Sequence, residues 1–104
     1  MSAPANPQRG EASLVLQGVE HVLRPTFTAL VAAEEELGSL FALAERASGG
    51  ELKLAELATL FWHCLREHDT LDRAAFCDAL VEAGLSASAP VLRALLLQVL
   101  KGAA

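Results

Sequence analysis

Two hydrophobic periods divide this chain. Between Glu11 and Arg24 apolar residues fall mostly at alternate positions, and beyond Pro25 they recur every three or four, the spacings of a strand and of a helix. The alternating stretch predicts a β-hairpin from Glu11–Gln17 and Val19–Arg24, turning at Gln17-Gly18. A two-residue loop sets Leu16 opposite Val19, Leu14 opposite His21 and Ala12 opposite Leu23, all on one mostly apolar face. Glu11 comes opposite Arg24 on the other face, a favourable cross-strand pair. Gln17 suits the turn less well than Asn or Asp, because that position needs a positive φ.

Pro25 ends the second strand, and Thr26 is an N-cap for a helix running to about Leu37. Phe27, Leu30, Val31 and Leu37 form its apolar stripe. Glu34, Glu35 and Glu36 crowd its last turn, where acids oppose the helix dipole at a local cost with no visible gain. Gly38 stops this helix and Ser39 caps a short one over Leu40–Ala47, followed by the loop Ser48-Gly49-Gly50. A third helix is expected from about Leu54 to His68, with Leu54, Leu57, Phe61, Cys64, Leu65 and His68 on its period. Asp69-Thr70 turns and caps a fourth, Leu71–Ala83, closed by Gly84. The last starts after Ser86 or Ser88, with Pro90 in its first turn.

The expected fold class is therefore α+β, mostly α: an N-terminal β-hairpin followed by four to five short helices. Residues 1–10, with two prolines and no periodicity, read as a flexible leader. Residues 11–104 read as a single small domain, with the hairpin at 11–24 and the helical part at 26–101. Hydrophobic residues are 53% and charged residues 20% of the 104, a balance that folds rather than stays disordered.

Charge excludes one class of partner. The net charge is −5; Arg9 and Arg24 cancel Glu11 and Glu20, so the surplus lies beyond residue 24. Without a Lys/Arg cluster, nucleic acid meets repulsion rather than counterion release. No apolar run approaches the roughly 18 residues of a membrane span, and the first residues hold no signal-peptide core. Two cysteines, Cys64 and Cys77, do not make a disulfide scaffold. These features point to a reducing cytoplasm with both thiols free.

Cys64 and His68 stand four apart on one helix face and Cys77 follows on the next, which makes a metal-binding regulator an alternative. The paired C-x-x-C spacing that marks zinc sites is missing, and the only other Cys/His candidates for a fourth ligand are His21 and His63. The plainer reading makes Cys64 and Cys77 small core hydrophobes and metal sites none. A thiol enzyme built on Cys64 with His63 or His68 lacks an oxyanion donor and an orienting group beyond Asp69. Consecutive carboxylates Glu34, Glu35 and Glu36 fan out over different faces and read as a solvated acidic surface. No catalytic or cofactor-binding residue is expected.

Partner binding has more support. Trp62 lies about 100° around the helix from Phe61, so burying both needs cover on two sides. In the last helix Leu92, Leu95, Leu96, Leu97, Val99 and Leu100 span more than one face, the mark of a central core helix or of an interface. Trp62, Leu92, Leu96, Leu97 and Leu100 are the candidate partner-binding residues.

The order of these features resembles a family of small gene transfer agent and prophage proteins classed as tail tube or tail assembly chaperone-like. The segments that carry the likeness begin with Asn6-Pro7-Gln8-Arg9-Gly10-Glu11, Leu14-Val15-Leu16-Gln17-Gly18 and Val22-Leu23-Arg24. Leu30 to Leu37 with Glu34–Glu36, Ser39-Leu40-Phe41-Ala42-Leu43-Ala44-Glu45, Leu54 to Leu57, and Val91 to Leu100 complete it. The chain departs from the pattern at Gln17 in the turn and at Lys53, which cannot cap a helix as Ser, Thr or Asp does. The resemblance implies a role in building a phage-type tail, without catalysis or cofactor, with a tail tube or tape-measure protein as partner; a particle released from the cell could still carry the protein. A minor structural tail subunit is the alternative within the same class.

Overall fold

The alternating stretch folds as the antiparallel pair β1 (Ala12–Leu16) and β2 (Val19–Leu23), in the expected register, with Ala12 opposite Leu23, Leu14 opposite His21 and Leu16 opposite Val19. Gln17 and Gly18 both take positive φ, 51° and 78°, the twist that a two-residue hairpin requires. A side chain in that region costs about 1 kcal/mol. The Gln17 amide donates to Glu82 Oε2 at 3.2 Å, tying the turn to a distant helix. Leu14, Leu16 and Leu23 are buried on the predicted face, while Val19 stays exposed. Val22 points the other way and is nevertheless buried.

The helices are α1 (Phe27–Leu37), α2 (Leu40–Ser48), α3 (Leu54–Cys64), α4 (Arg73–Ala83) and α5 (Leu85–Lys101). The computed structural model describes residues 11–66 and 71–101; the expected leader, His68 and the Asp69-Thr70 turn lie outside them. No single helix among the described residues is long and apolar enough to cross a membrane.

Four of the sequence expectations change. First, α3 stops at Cys64 rather than His68, because the sheet claims the next residues. Leu65 leaves the helix at φ −59°, ψ 126° and bridges Leu23. The Arg24 amide donates to the Cys64 carbonyl at 2.6 Å, and the Arg66 amide to the Val22 carbonyl at 2.9 Å. The outer edge of β2 is thereby covered at its Val22–Arg24 end, and Leu65 enters the core as an extended residue. Second, α4 starts at Arg73, capped by Asp72, whose carboxylate accepts from the Ala75 amide at 3.0 Å. Third, α5 starts at Leu85, directly after Gly84 (φ 89°). Pro90 thus lies inside the helix, where its missing N–H leaves the Ser86 carbonyl without its helical donor.

Fourth, the stripe on α1 is rotated. Ala33 is fully buried, Leu30, Leu37 and Ala29 pack against the core, and Phe27 and Val31 are exposed, Phe27 by 84%. Small Ala33 lets α1 lie close on α3, its main neighbour. Thr26 caps α1 through the Ala29 amide, and Ser39 caps α2 through the Ala42 amide. One cluster of buried side chains draws on every element, with Phe61, Leu16, Leu23, Leu43, Leu60, Leu80 and Leu95 the largest enclosed.

The acids that seemed costly on α1 carry inter-helix contacts. Glu34 Oε2 accepts the Leu40 amide at 3.0 Å, satisfying one of the free donors at the start of α2. Glu36 accepts from both Arg73 guanidinium nitrogens at 3.0 and 3.2 Å and also meets His63. It thus joins α1 to α3 and α4. Arg46 of α2 grips Glu56 of α3 bidentately, both bonds at 2.7 Å. Glu56 also accepts the Lys53 amide at 2.9 Å, so α3 is capped from its third residue although Lys53 supplies no cap. The bonds from Arg73 and then His63 hold the Glu36 carboxyl at about 2. Those from Arg46 and the Lys53 amide do the same for Glu56.

Two outcomes follow from this packing. Leu80→Ala empties a fully enclosed site and is expected to lower unfolding free energy by about 2–5 kcal/mol in urea denaturation. Because the Glu36 carboxyl is depressed on folding, its contribution is complete above its ordinary value of 4.5 and is lost as pH falls toward about 2. Thermal melts across that window should show Glu36→Gln less stable than the parent at pH 7, with the difference closing in acid.

Candidate interaction surface

The last helix has too many apolar residues for one face, and the fold divides them. Ser88, Val91, Leu95 and Leu96 turn inward and are buried, Leu92 is half-buried, and Leu97 is 45% exposed. Alongside runs the end of α2, which presents Ala44, Ala47 and Ser48. These short side chains cannot fill the space beside the α5 leucines. An open hollow of about 440 Å³ remains, lined by Ala44, Ala47, Ser48, Ala89, Leu92, Arg93, Leu96 and Leu97.

A second hollow of about 180 Å³ lies where α5 passes the start of α3, lined by Leu52, Lys53, Leu54, Leu57, Ser88, Ala89 and Leu92. Ala89 and Leu92 border both, so the two hollows are neighbours along α5 and make up a surface termed the α5 groove. The Ser88 hydroxyl is enclosed and has no hydrogen-bond partner among the described residues, in a residue only 1% exposed.

Charge marks the same groove. Among the described residues Arg24 and Arg66 pair with Glu11, Arg46 with Glu56, and Arg73 with Glu36. Lys53 and Arg93 form no salt bridge there, although Lys53 acts on Glu56 at longer range, and both line the groove. Glu51, beside it in sequence, acts on Arg46.

Three of the residues singled out from the sequence, Leu92, Leu96 and Leu97, therefore share one surface. Leu100 is in α5, but its side chain lies outside the described residues. Trp62 is not among the groove's lining. Its ring is half-buried against Phe76 of α4, centroids 6.1 Å apart, and Phe76 in turn meets His21 edge-on. Sequence reasoning missed Lys53, Ser88 and Arg93. Arg93 had a signal available, being the only charged residue between Glu82 and Lys101.

Beside the start of α1 the charged groups are already engaged. A hollow of about 320 Å³ beside the start of α1 is lined by Arg24, Arg66, His63 and Thr26, among others. Both arginines there are already drawn to Glu11, whose side chain is 4% exposed. Cys64 also borders it, but burial pushes its thiol up to about 12, far from the thiolate that nucleophilic or metal chemistry needs. Cys77 is half-buried and free. No three His, Cys, Asp or Glu side chains converge among the described residues, and His68 lies outside them. Thiol labelling at pH 8 should modify Cys77 first and leave Cys64 unmodified until the protein unfolds; labelling of Cys64 at the rate of an unfolded control would contradict this burial.

Comparison with protein families matches residues 9–102 to a family described as phage tail tube protein, GTA-gp10. No curated protein and no solved structure matches the chain.

Proposed function

We propose, from the premise that this chain belongs to the phage tail tube protein family GTA-gp10, that it is a tail-assembly binding protein of a phage-like particle. It acts without catalysis or cofactor, through the α5 groove. In this reading the groove covers apolar surface on a tail tube or tape-measure component until polymerisation is under way, in the manner of a tail assembly chaperone. Binding begins in the cytoplasm of the producing cell.

The observation that carries the proposal is the open apolar groove with Leu97 at its lip. Interfaces are built from apolar clusters of this kind, rimmed by polar groups, and the groove is a feature of the folded domain itself. Leu92 and Leu96 line it together with Leu97. Trp62 stands apart and is assigned to a separate contact or to the domain's own packing. The family description favours a second reading, incorporation as a minor structural subunit of the tail.

Affinity capture of the full chain from particle-producing cells is expected to recover a tail tube or tape-measure component. Leu97→Glu, a change at a half-exposed side chain, should leave folding intact. It forfeits the burial of a leucine, about 1.5–3 kcal/mol, and should cut recovery at least about tenfold. Undiminished recovery with a folded Leu97→Glu variant would remove the groove from the interface. Finding the chain in purified particles would favour the subunit reading over transient binding.

A further inference from the structure

We infer that the α5 groove takes an amphipathic helix with an acidic flank, contributed by another tail protein; this inference rests on the tail-assembly reading above. The described part of α5 that borders the groove, from Ser88 to Leu97, is about 14 Å long at 1.5 Å per residue. That length accommodates two to three turns of a second helix, the span over which anchors at i, i+3, i+4 and i+7 engage an apolar groove.

The sign of the charge on that helix comes from the rim. In a chain of net charge −5, an acidic partner is repelled by most of the surface. Lys53 and Arg93 are the cations that make no salt bridge among the described residues, and both border the groove. Lys53 also stands at the start of α3, where the helix dipole adds positive potential. An acidic flank is therefore attracted here and pushed away elsewhere, which fixes where and how the partner docks. The Ser88 hydroxyl is enclosed behind this wall, with no hydrogen-bond partner among the described residues, and takes no part in the contact.

The test uses two labelled peptides of about 15 residues, a length at which isolated helices begin to form. Both carry leucine at i, i+3, i+4 and i+7; one is flanked by glutamates and its twin by lysines. Anisotropy at low salt should show the glutamate peptide binding at least about tenfold more tightly, with the advantage shrinking as salt rises. Amide shifts should centre on Ala47, Ser88 and Leu92. The surface double variant Lys53→Glu/Arg93→Glu should invert the preference without loss of thermal stability.

Equal binding of both peptides, shifts centred away from α5, or no inversion would overturn the inference. So would self-association of the chain abolished by Leu97→Glu, which would make a second copy the occupant. The two proposals fail separately. Glutamate-peptide binding with no tail component captured from cells removes the tail role and keeps the charge rule. Capture unaffected by the double variant does the reverse.

Discussion

The structure depends on one join, where the end of α3 unwinds onto the outer edge of β2. A lone two-stranded hairpin is marginal in water, and this one becomes stable only when something covers it. The Cys64 carbonyl and Arg66 amide complete the backbone bonding of Arg24 and Val22, while Leu65 packs beside Leu23 inside the core. The same contact places Arg24 just before the start of α1, so the direction of the first helix follows from where the third one ends. An unpaired strand edge is also a liability for uncontrolled association, and at the end of β2 the chain closes it with its own backbone.

Around that join, charged groups hold helices that share only short contacts. Acids at a helix C-terminus oppose its dipole, and a helix taken alone gains nothing from Glu34, Glu35 and Glu36. In the folded chain Glu34 caps α2, and Glu36 meets Arg73 and His63 from two other helices. Glu56 combines an amide of its own N-terminus with the guanidinium of Arg46. The Glu34 cap and the Arg46–Glu56 pair are part-buried and the contacts of Glu36 exposed, and exposed ion pairs are modest in isolation. Together they tie α1 to α2, α3 and α4, and α2 to α3.

The groove is the consequence of a mismatch in size. Leucines on α5 face alanines and a serine on α2, so the wall on one side is tall and the other low. A self-contained core fills such a gap, since interiors pack at the density of organic crystals. Here Leu97 remains at the lip and Ser88 has no hydrogen-bond partner among the described residues. Unfilled volume and cations without salt bridges among the described residues coincide on one surface. That coincidence is what the proposed docking role rests on.

Much of this was legible in the amino-acid order, because strand alternation, caps and glycine stops act over a few residues. The hairpin register, the Thr26 and Ser39 caps and the breaks at Gly38 and Gly84 are local consequences of side-chain chemistry, and Leu92, Leu96 and Leu97 stood out as surplus apolar surface. Tertiary contact decided the rest. Leu65 belongs to a helical period yet becomes extended, since a sheet edge offered its neighbours better hydrogen bonds than another helical turn. Phe27 is apolar by type and exposed by position, because Ala33 rather than Phe27 permits α1 to approach α3. Lys53, Ser88 and Arg93 became neighbours of one groove only when α2, α3 and α5 met, and no pattern along a chain encodes a distance between residues forty apart.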